Sequence, residues 1–258
     1  MIDFFRRLRE RLSPRPQPID DATWNRVASD CALVAALTPE NAARLRGLCE
    51  RFLADKQYVP LAGVELDDYR CLVIAALACL PVLDLGYAHL RGWRRILVYP
   101  GEFRVRREHH DEDTGVVTEG DDALIGEAWE RGPLVLSWAD IEQDLADPHS
   151  GFNVVIHEIA HKLDMLDGGS DGVPPLPATL PRAEWIRAFQ QAYDAHCTAV
   201  DAEQETAIDP YAAESPDEFF ACLVEAWYSD EALVAREMPA IAGLLQRLFR
   251  PDAATTAI

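Results

Sequence analysis

The stretch that decides the reading of this chain is Phe152-Asn-Val-Val-Ile-His157-Glu158-Ile-Ala-His161-Lys-Leu-Asp164. It carries His-Glu-x-x-His inside a run of helical character that opens on Val154, Val155 and Ile156. Residues four apart on a helix stand one above the other, so His157 and His161 can offer ring nitrogens to a single ion. Zinc accepts such nitrogens at about 2.0–2.1 Å. Glu158 lies about 100° further round the helix, placed to reach a water on the ion rather than the ion itself. A carboxylate there can take the proton of a water whose pKa the metal has lowered towards roughly 7. The bland alternative is two surface histidines beside a solvated glutamate.

A catalytic zinc with two histidines needs a third protein ligand and one open position. The candidates lie downstream in Tyr211-Ala-Ala-Glu214-Ser-Pro-Asp217-Glu218-Phe-Phe-Ala-Cys222-Leu-Val-Glu225. Ser215-Pro216-Asp217-Glu218 also reads as a capping box with proline at the first helical position, which alone would explain Glu218. The helix that follows presents Phe219, Phe220, Leu223 and Trp227 as a core stripe. Glu218 stands at its margin beside Ala221 and Cys222, small residues that would let the histidine-bearing helix approach. Glu218 is therefore favoured on physical grounds, with Glu214, Asp217 and Glu225 left open. Cys222 lies one turn further on and reads as a small core thiol.

These segments resemble the zinc peptidases of the Mlc titration factor A family and, more distantly, the catalytic domain of anthrax lethal factor. The shared residues are His157-Glu158-Ile-Ala-His161-Lys-Leu-Asp164 and Asp209-Pro-Tyr211-Ala-Ala-Glu214-Ser-Pro-Asp217-Glu218-Phe-Phe-Ala. Val59-Pro-Leu, Cys79-Leu-Pro-Val-Leu-Asp-Leu-Gly, Leu97-Val-Tyr-Pro and Gly132-Pro-Leu-Val-Leu-Ser-Trp extend the likeness to most of residues 20–250. The resemblance implies His157, His161 and Glu218 as zinc ligands and Glu158 as general base. It implies that Tyr211 hydrogen-bonds the developing oxyanion, a role suited to a neutral donor. It implies a zincin-like α+β fold, with the active-site helix beneath a small mixed sheet and largely helical N- and C-terminal parts. The strand Leu134–Trp138 would then border the cleft and pair with an extended peptide. It also implies a partner, a transcriptional repressor of the Mlc type, so a regulatory binding protein stands as the alternative to a peptidase. A purely structural metal site fits poorly, because two histidines and one glutamate leave a position open. Amino- and endopeptidase action are both open at this stage. Some relatives carry a longer tail than Pro251–Ile258, which puts any contact made by such a tail in doubt here.

Composition narrows the alternatives. The chain has 258 residues, 49% hydrophobic and 26% charged, with 24 Lys+Arg against 44 Asp+Glu for a net charge of −20. That sign argues against non-specific binding to nucleic acid or anionic lipid, whose affinity rests on cationic side chains. The six cysteines form no Cys-x-x-Cys pair, and a chain this long needs no disulfide framework, so reduced thiols in the cytoplasm are expected. The N-terminus is Arg-rich without the apolar stretch of a secretory signal. The longest apolar run, Cys71 to Leu83, is too short for a membrane span of about 20 residues and contains Pro81.

The remaining pattern divides into an N-terminal arm over 1–18, one peptidase domain over 19–250 and a tail over 251–258. Within the domain, 19–90 is a helical part and 91–250 the catalytic part. Thr38-Pro39-Glu40 is a helix start, and Leu66 to Leu83 reads as a buried helix. Arg95–Tyr99, Phe103–Arg106 and Leu134–Trp138 are short strand-like runs around a polar loop that holds His109, His110 and Asp111. That trio reads as solvated, and His89, His149 and His196 lack partners at ligand spacing. Pro181–His196 is an amphipathic helix with Trp185, Phe189 and Tyr193 as its packing stripe. A final helical pair runs from Ser215 to Phe249, broken near Pro239. Asp164 and Asp167 either orient a ligand histidine or finish the helix and its loop.

Overall fold

The computed structural model describes residues 16–101 and 132–250. Phe103–Arg106, the loop with His109, His110 and Asp111, the arm up to residue 15 and the tail from 251 lie outside the described residues. The chain opens with helices α1 (Asp21–Asp30), α2 (Ala32–Ala35) and α3 (Pro39–Asp55). As the sequence predicts, Thr38 caps α3, its hydroxyl accepting from the Asn41 N–H at 3.2 Å. Helix α4 (Asp68–Cys79) is buried over its whole length from Leu72 to Cys79, as its all-round apolar composition requires. It is shorter than the expected Leu66–Leu83. Asp67 caps its start through the Arg70 N–H at 2.8 Å, and Pro81 turns its end into a 3-10 segment, Leu80–Val82.

Among the described residues three strands form a sheet in the order β1 (Gln57–Pro60), β2 (Arg95–Tyr99), β3 (Leu134–Ser137). Both of these pairings are parallel, with Tyr58 opposite Ile96 and Ile96 opposite Leu134; the expected mixed sheet shows only its parallel part among the described residues. Helix α4 and the turns after it supply the crossover that a parallel β1–β2 pair demands. Strand β1 has no clear sequence signal, since Pro60 cannot donate to a ladder. It is tied down at its root by the buried Lys56, whose ammonium donates to the carbonyls of Leu90 and Trp93. Strand β3 stops one residue earlier than expected because Ser137 caps α5 (Trp138–Ala146), accepting from the Asp140 N–H.

Helix α6 (Val154–Asp164) carries the His-Glu-x-x-His segment and packs against β3, α4 and helix α8 (Pro216–Ser229). In chain order α7 (Arg182–Asp201) comes between α6 and α8, and it is longer at its end than expected. Its stripe packs as predicted: the Trp185 and Phe189 rings stack at 4.1 Å, and both meet Phe220 of α8. The expected final helical pair is three helices, α8, α9 (Glu231–Glu237) and α10 (Pro239–Phe249). The additional break falls at Asp230, whose carboxylate accepts from the Leu233 N–H and starts a new helix. This mostly helical α+β arrangement, with α6 held against a small sheet, is consistent with a zincin-like metallopeptidase fold. Among the described residues no helix is long and apolar enough to cross a membrane.

Candidate metal centre

The site helix begins where the chain meets buried acceptors. Asn153 caps α6, its side chain accepting from the Ile156 N–H at 3.0 Å. The Val154 N–H donates to Asp144 Oδ2 of α5 at 2.8 Å, and the Asn153 N–H donates to Glu225 Oε2 of α8 at 3.0 Å. Two of the amides that every helix start leaves open are thus satisfied by acids from neighbouring helices. Burial raises the Asp144 carboxyl to about 6, against the pull of that Val154 amide.

From this start, the 3.6-residue period stacks His157 under His161, ring centroids 4.8 Å apart. Opposite them, Ser215 caps α8 by accepting from the Glu218 N–H. The Glu218 side chain faces the two imidazoles. Its Oε2 lies 3.0 Å from His157 Nε2 and 3.2 Å from His161 Nε2, and the two Nε2 atoms are 3.2 Å apart. His161 is 2% and Glu218 5% exposed, whereas the His157 side chain keeps 15% of its surface, so the triangle is largely withdrawn from water and open on the His157 side. Burial alone would raise the Glu218 carboxyl, but its bonds to His157 and His161 hold it far below the usual range. Burial likewise opposes charge on His157, yet the Glu225 carboxylate and hydrogen bonds with Cys222, Glu218 and Glu225 raise it well above the ordinary imidazole value.

The three atoms suit a metal ion. Bonds of about 2.0–2.1 Å at tetrahedral angles separate ligand atoms by about 3.3 Å, close to the triangle seen here. Three lone-pair-bearing atoms pointed at one another in a dry site repel unless positive charge lies among them. His161 Nδ1 is buried with no hydrogen-bond partner among the described residues, and the polar contacts that ring makes with them lie at the triangle. A donor set of two imidazoles and a carboxylate is one that zinc favours.

The other candidates separate cleanly. Glu214 is exposed, and Asp217 accepts from the hydroxyls of Ser170 and Ser215. Glu225 reaches the far side of His157, 3.3 Å from Nδ1. Cys222 is a buried thiol on that same side, raised to about 11 by burial. Tyr211 sits on a 3-10 turn, Pro210–Ala213, that packs on α8 ahead of Glu218; the residue is 41% exposed. Glu158 is half-buried on α6. Asp164 finishes the helix, its Oδ2 accepting from the Gly172 N–H at 2.9 Å, and Asp167 pairs with Arg182 at the surface. Neither is seen to touch a ring nitrogen of His157 or His161. His89 and His149 face the carbonyls of Gly86 and Ser229, and His196 packs on Phe219.

A family model described as glucose-regulated metallo-peptidase M90 matches residues 5–250. The chain belongs to that family. It is 40% identical over 223 residues to the Mlc titration factor A of Salmonella arizonae, covering 85% of this chain and 87% of the relative. It is 42% identical over 212 residues to that of Escherichia fergusonii and over 211 residues to that of Cronobacter sakazakii, each covering 81% of this chain and 78% of the relative. Membership in M90 makes the protein a metallopeptidase by family and implies a metal ion.

Sequence reasoning missed three contributors to the centre. Asn153 had a legible signal, a capping residue directly before the apolar run. Asp144 and Gly172 had none, because each acts on a helix that is not its own.

Proposed function

We propose that this protein is a zinc-dependent peptidase with His157, His161 and Glu218 as the ligands. The observation that carries the reading is the convergence of two imidazole nitrogens and one carboxylate oxygen to within 3.2 Å, on two facing helices of an M90 chain. Zinc there would supply Lewis acidity, which lowers the pKa of water and polarises a peptide carbonyl. Glu158, next in sequence to His157 and on an adjacent face, takes a proton from the attacking water and returns it to the leaving amine. Tyr211 donates its phenolic hydrogen to the oxygen on which negative charge develops, the role that the family pattern assigns it. Six free thiols fit a reducing compartment, and we place the protein in the cytoplasm.

Chromogenic peptides with free and with blocked N-termini, offered to zinc-loaded protein and to Glu158→Gln at matched zinc content, test this reading. Cleavage by the wild type should fall by about 10²–10⁴-fold in the variant, the usual worth of a general base. Turnover retained in Glu158→Gln would remove Glu158 from that role. Cleavage of the blocked peptides marks an endopeptidase, and its absence alongside cleavage of the free ones an aminopeptidase.

The name its relatives carry, Mlc titration factor A, favours a second activity, binding of an Mlc-type repressor. Glu158→Gln used as bait against purified repressor separates the two: capture without turnover marks binding as an activity in its own right. Absence of capture by both wild type and variant removes it.

A further inference from the structure

We propose that Glu225 is a positioning residue that fixes the ring orientation and tautomer of His157; the inference rests on the zinc reading above. Glu225 is 5% exposed and stands two turns along α8 from Glu218, so one helix presents a carboxylate to each side of the same imidazole. Its Oε2 accepts from the Asn153 N–H at 3.0 Å, and its Oε1 lies 3.3 Å from His157 Nδ1. A carboxylate oxygen accepts, so Nδ1 carries the hydrogen and donates it. A neutral imidazole protonated at Nδ1 leaves the Nε2 lone pair free, aimed at Glu218 and His161 where the ion would sit.

The Asn153 contact makes this a rigid arrangement. Asn153 caps the helix that carries His157, so Glu225 grips both the start of α6 and the ring one turn later. A ring rotation of His157 would break the bond at Nδ1 and turn Nε2 away from the triangle. His161, whose Nδ1 has no partner among the described residues, has no such anchor. The two ligands are therefore unequal: His157 is held from behind, whereas His161 is oriented by packing.

Cys222 Sγ lies in the same cluster, its atom within 4.8 Å of His157 and Glu225 ligand atoms. A cation held there by His157 Nδ1, Cys222 and Glu225 is the competing explanation. The Asn153 amide already occupies one Glu225 oxygen, which favours the hydrogen-bonded arrangement.

Glu225→Gln tests the proposal. Glutamine keeps the shape and can still accept from Asn153, but then turns its NH₂ towards Nδ1. A donor facing Nδ1 selects the opposite tautomer, with the hydrogen on Nε2. Zinc dissociation constants measured by chelator competition should rise 10–100-fold in Glu225→Gln, the usual cost of losing such a partner. Glu225→Asp, which restores the carboxylate, should recover part of that loss. In zinc-loaded wild type, ring ¹H–¹⁵N correlation should show a hydrogen-bonded, exchange-protected Nδ1 proton on His157, a signature that mere packing would not give. That spectrum decides the matter even if Glu225→Gln fails to fold. An unchanged zinc constant in Glu225→Gln, or an unprotected Nδ1 proton in the wild type, would overturn the positioning role alone. A second zinc equivalent lost in Cys222→Ser would overturn it in favour of the cation. Wild type that takes up no zinc would remove the zinc reading, and the inference with it.

Discussion

Gly172 stands so close to Pro216 that a Cβ on it would come within 2.6 Å of the Pro216 carbonyl oxygen. Its φ is +75°, a conformation that side chains resist, and three elements meet at this residue. Its N–H donates to Asp164 at the end of α6, and its carbonyl accepts from Trp185 Nε1 of α7 at 2.9 Å. Pro216 opens α8, two residues before Glu218. The loop that follows α6 thus sets how near Glu218 can come to His161. Gly172→Ala should destabilise the protein by about 2 kcal/mol or more, from the left-handed backbone and the clash together. Thermal unfolding should show a fall in Tm of several degrees. A variant that unfolds with the wild type would mean that the loop yields without cost.

Among the acids after Tyr211, only one should matter to the metal directly. Glu218→Ala should bind zinc at least about 100-fold more weakly, since it removes one of three ligands rather than an outer partner. Glu214→Ala and Asp217→Ala should stay within a few-fold, because Glu214 is exposed and Asp217 is engaged by Ser170 and Ser215. Zinc content after dialysis against a graded chelator series checks all three. Strong loss in Asp217→Ala with none in Glu218→Ala would reverse the assignment.

What the sequence made legible follows from how local each feature is. The i, i+4 histidines and the Trp185–Phe189 stripe depend on helical periodicity alone, and the Thr38 cap on a hydroxyl placed directly before Pro39; each stands where these local rules put it. Glu218 was harder, because a capping box explains the same residue; only the facing helix shows that its side chain is used elsewhere. Asp144 was invisible, being ten residues before Val154 with its role set by how α5 meets α6. Strand β1 was hidden by Pro60, and the parallel order of the sheet by crossovers that no short run of residues encodes. The break at Asp230 had a signal, a capping residue after Ser229, which the apolar continuity of the segment masked.

Asp164 should give the stability curve a recognisable slope. Burial raises its carboxyl to about 7, against the pull of the Gly172 amide. An ordinary aspartate in the unfolded chain titrates at about 3.9. The folded state therefore holds a proton that the unfolded state has released between those values. Stability from this residue is full below about pH 4, declines as pH rises through the window, and is lost above about 7. Asp164→Asn keeps an acceptor for Gly172 but does not titrate. The stability of the variant relative to wild type should therefore rise from pH 4 to 7, by on the order of 2–4 kcal/mol. Denaturant unfolding of both proteins across that range checks it; parallel curves would show that Asp164 ionises in the folded protein as freely as in the unfolded one.

Metal removal should loosen the contact between α6 and α8 more than any other. The triangle draws one ligand from α8 and two from α6, so an ion there crosslinks two helices that are far apart in sequence. Without it, the same atoms must share protons: a carboxylate accepts, but two unprotonated Nε2 atoms 3.2 Å apart do not attract. Binding to the folded state alone stabilises it by RT ln(1 + [L]/Kd), about 2.7 kcal/mol when free zinc is 100 times Kd. Chelation should lower the Tm of the wild type, and restored zinc should recover it. Glu218→Ala should unfold at nearly the same temperature with and without zinc at the same concentration. His196→Ala, whose imidazole is buried on Phe219 away from the triangle, should lose stability yet keep the full zinc-dependent increment. Equal zinc-dependent increments in wild type and Glu218→Ala would place the stabilising ion somewhere other than between these helices.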